Sequence, residues 1–241
     1  MAQKLNEVYD SYLRKKNHSK SASRYVGMEE WFHSSRAGLC HRKHFFGSIQ
    51  KVKGSELSED TLRIFRIGEL IHEDIQEAVR QYAEQEAVPI FIEKELFLPA
   101  LNVRGFIDLA IVDEDILYDI KTCNSYKWKM MFGRSVDQSP SENYALQLAT
   151  YGLWYLENYG ALKGMKIVYY NKNNSMMREV DIPMESLSKA QQYWESVVAD
   201  CKSESPPPLE LGVSPVYKWE CNPKYCDYYE VCGGGIKQIM E

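Results

Sequence analysis

The amino-acid sequence predicts a mixed α/β (α+β) fold, with one central mixed β-sheet flanked by helices. Three observations carry this. A long stretch with apolar residues at threes and fours, 58–86, precedes the first strand-like run. Short runs rich in β-branched and aromatic residues follow, first a group of three and then a group of two. Helical stretches separate the two groups and close the series.

Each element has a local reason. Residues 1–23 are polar and carry Arg14, Lys15, Lys16 and Lys20, which predicts a solvated helical start. In 28–46, apolar and basic residues alternate irregularly around Cys40, suggesting short helices. The long helix presents Leu62, Phe65, Ile71, Ile75, Val79 and Tyr82 as its apolar face. Ser58 or Asp60 can cap it, and Pro89 lies just past its end. Strands are expected at 90–98, 104–112 and 116–123. The short acidic joint Asp113-Glu114-Asp115 makes the last two an antiparallel hairpin. Ser139-Pro140-Ser141-Glu142 has the form of a capped helix start, for a helix running to Tyr159. A second hairpin, 166–170 with 178–182, turns at Asn171-Lys172-Asn173-Asn174. A last helix spans 185–202, and Pro206-Pro207-Pro208 is a stiff link to a cysteine-rich tail. The expected division is an N-terminal helical segment, 1–57, a core, 58–205, and a tail, 206–241, packed on the first segment.

Composition excludes several classes. The 241 residues are 44% hydrophobic and 26% charged, which argues against global disorder. No apolar run approaches the roughly 18 to 20 residues of a membrane span. The first twenty residues lack an apolar core of signal-peptide type, which predicts a reducing, cytoplasmic interior. The net charge of −5 rules out a uniformly basic nucleic-acid coat, but not a local basic groove beside a cation-binding carboxylate site.

The first hairpin concentrates the chemistry. Its strands carry Gly105-Phe106-Ile107-Asp108 and Asp119-Ile120-Lys121. Residues two apart share a strand face, so Asp119 and Lys121 project together. A register placing Asp108 opposite Lys121 puts all three on one face. Two converging carboxylates repel unless a cation such as Mg²⁺ lies between them. A lysine beside them suits phosphodiester hydrolysis. One Asp-x-Lys alone is usually a solvated face, but here the charges interrupt an apolar run and so are expected to be buried. On the long helix, His72 shares a face with Phe65, Gly68, Ile75 and Val79. Gly68 leaves room for a strand or ion, and His72 is either a metal ligand or a satisfied core histidine. Gln147 and Tyr151 are an i, i+4 pair that can orient a phosphate, a water or a base.

In order, Gly68-x₃-His72, Gly105-x₂-Asp108, Asp119-x-Lys121 and Gln147-x₃-Tyr151 resemble the PD-(D/E)xK nuclease superfamily, in its RecB-like branch. The stretch 66–73 resembles that branch's histidine motif, and 147–152 its Q-x₃-Y helix. The resemblance implies a restriction-endonuclease-like core. It also implies that His72, Asp108, Asp119 and the Ile120 backbone carbonyl hold Mg²⁺ or Mn²⁺. Lys121 is then catalytic with the two aspartates, and Gln147 and Tyr151 bind substrate. The family often has glutamate where this chain has Asp119.

Cys221-x₄-Cys226-x₅-Cys232 supplies three soft ligands within twelve residues, and Cys40, among basic and aromatic neighbours, is the best fourth. Four thiolates suit zinc or an iron–sulfur cluster. The long spacings, without C-x₂-C knuckles, fit the cluster better. One cysteine before the core and three after it resemble the iron–sulfur CRISPR-associated Cas-four-type and AddB-type nucleases. That resemblance implies a four-iron, four-sulfur cluster pinning the tail to the N-terminal segment, across 180 intervening residues. Cys123 and Cys201 are expected to stand apart as packed thiols.

Lys127-Trp128-Lys129 follows the second hairpin strand; it can contact phosphates and stack on a base, or form a solvated loop. Arg36, Arg42 and Lys43 could extend a basic lining. The expectation is a Mg²⁺- or Mn²⁺-dependent DNA exonuclease, also a candidate single-strand endonuclease, in a prokaryotic or phage-infected cell. Its substrate is DNA that is single-stranded or has frayed ends, and a helicase or integrase is a candidate partner. The alternatives are a non-catalytic DNA-end-binding subunit of a recombination or spacer-acquisition complex, and a zinc-stabilised adaptor.

Overall fold

The computed structural model describes residues 4–24, 30–133 and 142–233. The expected cap at Ser139, with Pro140 and Ser141, lies outside them. The helices are α1 (Leu5–Arg24), α2 (His41–His44), α3 (Glu59–Glu86), α4 (Ser125–Phe132), α5 (Glu142–Tyr159) and α6 (Ser186–Asp200). The strands are β1 (Phe32–His33), β2 (Ile90–Leu98), β3 (Val103–Ile111), β4 (Ile116–Cys123), β5 (Gly164–Asn171) and β6 (Met177–Asp181). Among the described residues, no helix is long and apolar enough to cross a membrane.

The expected mixed α/β architecture is present, with one mixed sheet and flanking helices. Its pivot is β3. Along one edge β2 pairs antiparallel, from Ile90 opposite Ile111 to Leu98 opposite Val103. The other edge is divided. β1 pairs in parallel at its start, with Phe32 opposite Val103. β4 pairs antiparallel at its end, with Leu109 opposite Tyr118 and Ile111 opposite Ile116. Between these two partners, 105–108 carry no rung on that edge. β4 continues past the gap because β5 supports it in parallel along its full length. β6 then pairs antiparallel with β5.

Local chemistry explains the borders. Ser58 caps α3 by accepting from the Thr61 N–H. Ala87 closes α3 in a left-handed conformation, two residues before Pro89. α5 is buried on most sides (Leu148, Ala149, Tyr151 and Tyr155 among others) and packs on α6. The Trp194 indole N–H donates to Thr150 Oγ1 at 2.8 Å across that contact. One hydrophobic cluster takes in Phe32, Phe45 and Phe46, the sheet, α5 and α6, and Tyr228 of the tail.

Three expectations need correction. The apolar face read for α3 is only partly its buried face: Leu62 is buried and Ile71, Ile75 and Val79 are half-buried, but Phe65 and Tyr82 are 52% and 55% exposed. The buried positions are Leu62, Gln76 and Ala83. The helix meets the sheet through small and polar residues, which hydrophobic periodicity does not detect. Lys127-Trp128-Lys129 lies in α4, capped by Asn124, rather than in a loop. β1 was not anticipated, being only two residues long.

Candidate active site and cysteine corner

The divided edge of β3 builds the site. Extending the three observed rungs places Asp108 opposite Asp119, not opposite Lys121 as expected. Both registers put the carboxylates on one face, so the expected convergence survives the correction. Asp108 is 8% exposed and Asp119 fully buried. In place of a ladder bond, Asp108 Oδ2 accepts the Ile120 N–H at 3.0 Å across the gap. Lys121 Nζ donates to Asp119 Oδ1 at 2.8 Å. It also lies 2.6 Å from Asp119 Oδ2, which is buried and receives no hydrogen bond of good geometry. Burial, reinforced by the Asp108 charge, pushes the Asp119 carboxyl up to about 7, against the pull of Lys121. The two carboxylates hold the Lys121 ammonium charged, well above its usual range, despite the opposing cost of burial.

α3 supplies the facing wall. A Cβ at Gly68 would meet Thr122 Oγ1 at 3.3 Å, so it is β4 that approaches the helix there. One turn on, His72 Nδ1 lies 3.8 Å from Asp108 Oδ2. Burial lowers the His72 pKa; the Asp108 charge and a hydrogen bond to the Ile120 backbone oppose this. His72, Asp108, Asp119 and the Ile120 backbone are therefore neighbours. One further turn along, the buried Gln76 donates to the Asp108 carbonyl at 3.1 Å and to Glu93 Oε1 at 3.2 Å. Glu93 adopts a left-handed φ of 52° inside β2, which turns its side chain toward this wall. Gln76 and Glu93 were missed in the sequence. The available signal was the i, i+4 spacing of Gly68, His72 and Gln76.

Gln147 donates to the Tyr151 hydroxyl on α5, and both are buried at the cleft. Burial, with the charges of Asp108 and Asp119, holds the Tyr151 hydroxyl protonated. Gly105 is required here, since a Cβ would fall 1.7 Å from Ser34 Oγ. Asp108, His72, Gln76, Glu93, Gln147 and Tyr151 all line one cleft of about 660 Å³.

Of the α4 residues, Lys127 Nζ lies 4.1 Å from the centre of the Tyr144 ring, whose face Lys121 Nζ also approaches at 5.2 Å. Trp128 packs against the core and on Phe132, with ring centroids 4.7 Å apart. Lys129 is exposed. None of the three lines the cleft.

The carboxylates suit a hard divalent cation by donor chemistry, and Asp119 Oδ2 makes an ion pair but no hydrogen bond of good geometry. Even so, among the described residues no three His, Cys, Asp or Glu side chains stand in ligand geometry about one point. Lys121 claims the space beside Asp119, so a cation held there would displace that contact.

At the other end, Cys40, Cys221, Cys226 and Cys232 line one small cavity with Arg42 and Lys43. Arg42 donates to Cys232 Sγ at 3.2 Å. The buried Glu220 accepts the Cys40 N–H at 2.8 Å, and Lys43 donates to the Tyr225 carbonyl at 3.2 Å. Burial pushes the Cys40 thiol up to about 12. The four sulfurs share a cavity but do not stand in ligand geometry. Cys123 stays apart as expected. Cys201, at the end of α6, is also outside that cavity, although its thiol reaches the His41 carbonyl at 3.9 Å and the Cys40 charge acts on it.

Comparison with known proteins gives a family and a fold. The model of the PD-(D/E)XK nuclease superfamily matches residues 75–233, well over half of the chain. The match takes in Asp108, Asp119, Lys121, Gln147, Tyr151 and the tail cysteines, but not His72 or Cys40. No curated protein has a matching sequence. The solved structure of the protein SSO0001 is similar in fold, with a TM-score of 0.59 at 18% identity. That likeness covers 93% of this chain and 96% of the other. An alkaline exonuclease from Laribacter hongkongensis is similar over 75% of this chain and 92% of its own, with a TM-score of 0.51 and 11% identity.

Proposed function

We infer the function from one premise: this chain belongs to the PD-(D/E)XK nuclease superfamily. It is a nuclease, and its substrate is DNA. The finer reading is a Mg²⁺- or Mn²⁺-dependent exonuclease acting on single strands or frayed ends. The carrying observation is the buried convergence of Asp108, Asp119 and Lys121 where β3 and β4 part. The fold shared with an alkaline exonuclease supports cleavage from an end.

Asp108, Asp119, the Ile120 carbonyl and His72 are the residues that would hold the cation. When bound, the cation supplies Lewis-acid charge that acidifies water and offsets phosphate charge. Lys121 Nζ orients the attacking water and stabilises charge growing on the phosphate oxygens. Gln76 fixes Asp108 through its carbonyl. Gln147 and Tyr151 hold the phosphate from α5, where the protonated hydroxyl is a donor. Cys40, Cys221, Cys226 and Cys232 would hold a four-iron, four-sulfur cluster, in keeping with the resemblance to the Cas-four-type and AddB-type branch. Their shared cavity and the Arg42 contact to Cys232 support this.

The test is degradation of 5′- and 3′-labelled single strands with Mg²⁺ or Mn²⁺, by protein purified anaerobically and characterised by its visible spectrum. Cleavage abolished by Lys121→Met, in brown protein, is the expected result. DNA binding with no cleavage by the parent protein would select the second reading, a DNA-end-binding subunit. That reading is favoured by the contact of Lys121 with both Asp119 oxygens.

A further inference from the structure

One small cavity adjoins the cleft, and a third cavity adjoins that one. Phe65 and Glu69 line both the cleft and a small cavity walled by Leu13, Lys16 and Arg66. Asn17 and Leu62 line both that small cavity and a third one of about 830 Å³. The three cavities therefore follow one another from the cleft at Asp108, past the small cavity at Phe65, to α1, and this row of cavities along α3 makes up a trough.

Its wall is built rather than loose. The sequence reads α1 as solvated, yet Leu13 is buried and Asp10 accepts two hydrogen bonds from Arg63 of α3, at 2.9 and 2.7 Å. Arg14 pairs with Glu59 on the same seam.

The charge changes sign along the trough. The cleft end holds Asp108, Glu69, Glu73 and Glu93 against Arg104 and Lys172. The far end holds Arg14, Lys15, Arg36 and Lys53 against Glu56 and Asp227. A chain of net charge −5 thus collects cations at one end of one trough, away from its carboxylates. Lys53 is 88% exposed and reaches Glu56 only at 4.0 Å. At the junction, the Phe65 ring is half exposed, with its apolar surface unburied. An acidic end suits a divalent cation, a basic end suits phosphates, and an open ring between them suits an unpaired base. A duplex offers no unstacked base to that ring.

We propose that this trough is the path of a single DNA strand, with a base on Phe65 and the phosphates beyond it held by Lys15 and Lys53. The proposal rests on the nuclease reading for its orientation, and it leads away from α4 and the Lys127-Trp128-Lys129 segment. Only strands long enough to reach α1 use the far end, so Lys15 and Lys53 act on long substrates alone.

The test uses the full chain and fluorescent single strands of four and twenty nucleotides. Lys15→Glu/Lys53→Glu should weaken 20-mer binding about tenfold or more at 0.1 M salt, with the melting temperature unchanged. Lys15→Gln/Lys53→Gln should make the logarithmic salt dependence shallower by about 1.4. Phe65→Ala should weaken 20-mer binding about tenfold. Cleavage of the 4-mer with Mn²⁺ should match the parent in both lysine variants. Unchanged 20-mer binding, or equal losses on both lengths, would overturn the proposal. A loss confined to blunt duplex would assign the trough to duplex instead and overturn the single-strand path. If the parent cleaves nothing, the nuclease reading fails, while the binding measurements still decide the trough.

Discussion

The carboxylate cleft and the cysteine corner are held in different ways. At the cleft and in the buried layer behind Asp108, the polar groups satisfy one another: Lys121 sits on Asp119, neither of which lines the cleft itself, Ile120 N–H on Asp108, and Gln76 on the Asp108 carbonyl. Strands on both sides fix these positions, because β2 supports β3 and β5 supports β4. In the cysteine corner Cys40 meets the Arg42 and Lys43 backbone N–H groups, Cys226 that of Tyr228, and Cys232 the Arg42 side chain, and among the described residues from Tyr217 on the one helical turn is Lys218–Glu220. The contact between the tail and the N-terminal segment depends on the buried Glu220, Lys43 and Tyr228. The difference teaches where order originates. The cleft inherits its geometry from the sheet, whereas the corner is held by short-range turn bonds such as Cys226 N–H to the Asn222 carbonyl and Cys232 N–H to the Tyr228 carbonyl, so a ligand that joins its sulfurs adds the long-range tie.

The largest effect is expected at Lys121. Lys121→Met should reduce cleavage by about a thousandfold. It also leaves Asp119 buried beside Asp108 without its cation, a loss of about 3 kcal/mol. Asp119→Asn/Lys121→Met should recover most of that stability and none of the cleavage. Urea denaturation measures both; a double variant no more stable than the single one would show that charge pairing does not hold the cleft.

Next comes Cys226→Ala. Loss of visible absorbance and faster amide exchange across 217–233 are expected, with protection of β3 and β4 retained. Equal loosening of both regions would erase the contrast. A smaller effect is expected from Gln76→Leu, which removes the hydrogen bonds to the Asp108 carbonyl and Glu93. Mn²⁺ affinity should fall about tenfold by isothermal titration, with cleavage following. Unchanged affinity would remove Gln76 from the site.

The mildest test is pH. The Asp119 carboxyl lies near 7, raised from its ordinary 3.8. Its proton must leave before a cation binds, so Mn²⁺ affinity should fall about tenfold per pH unit below that value. The stability sign runs the other way. A raised carboxyl pKa makes the folded state hold the extra proton between 3.8 and about 7. Its contribution to stability is therefore full at low pH and lost as pH rises through 7. Asp119→Asn should flatten that part of the stability profile, measured by urea midpoints at several pH values.

Much of this was legible in the chain itself. The borders of β2 and β4, the Ser58 cap and the end of α5 at Tyr159 follow from local chemistry, because caps and alternation act within a few residues. The shared face of Asp108 and Asp119 also follows, since any odd-numbered partner for Asp108 preserves it. The order of the motifs is itself enough to point to the nuclease superfamily, which the family match bears out. The tertiary structure alone decided that β1 and β4 divide one edge of β3 and leave a gap at Asp108. It alone turned Phe65 outward and Gln76 inward, gave Trp128 a packing partner, and docked α1 on α3. Hydrophobic periodicity reports how a segment alternates, not which distant segment will cover it. Register, exposure and the meeting of polar groups depend on partners tens of residues away, so they become definite only when the sheet and helices have packed.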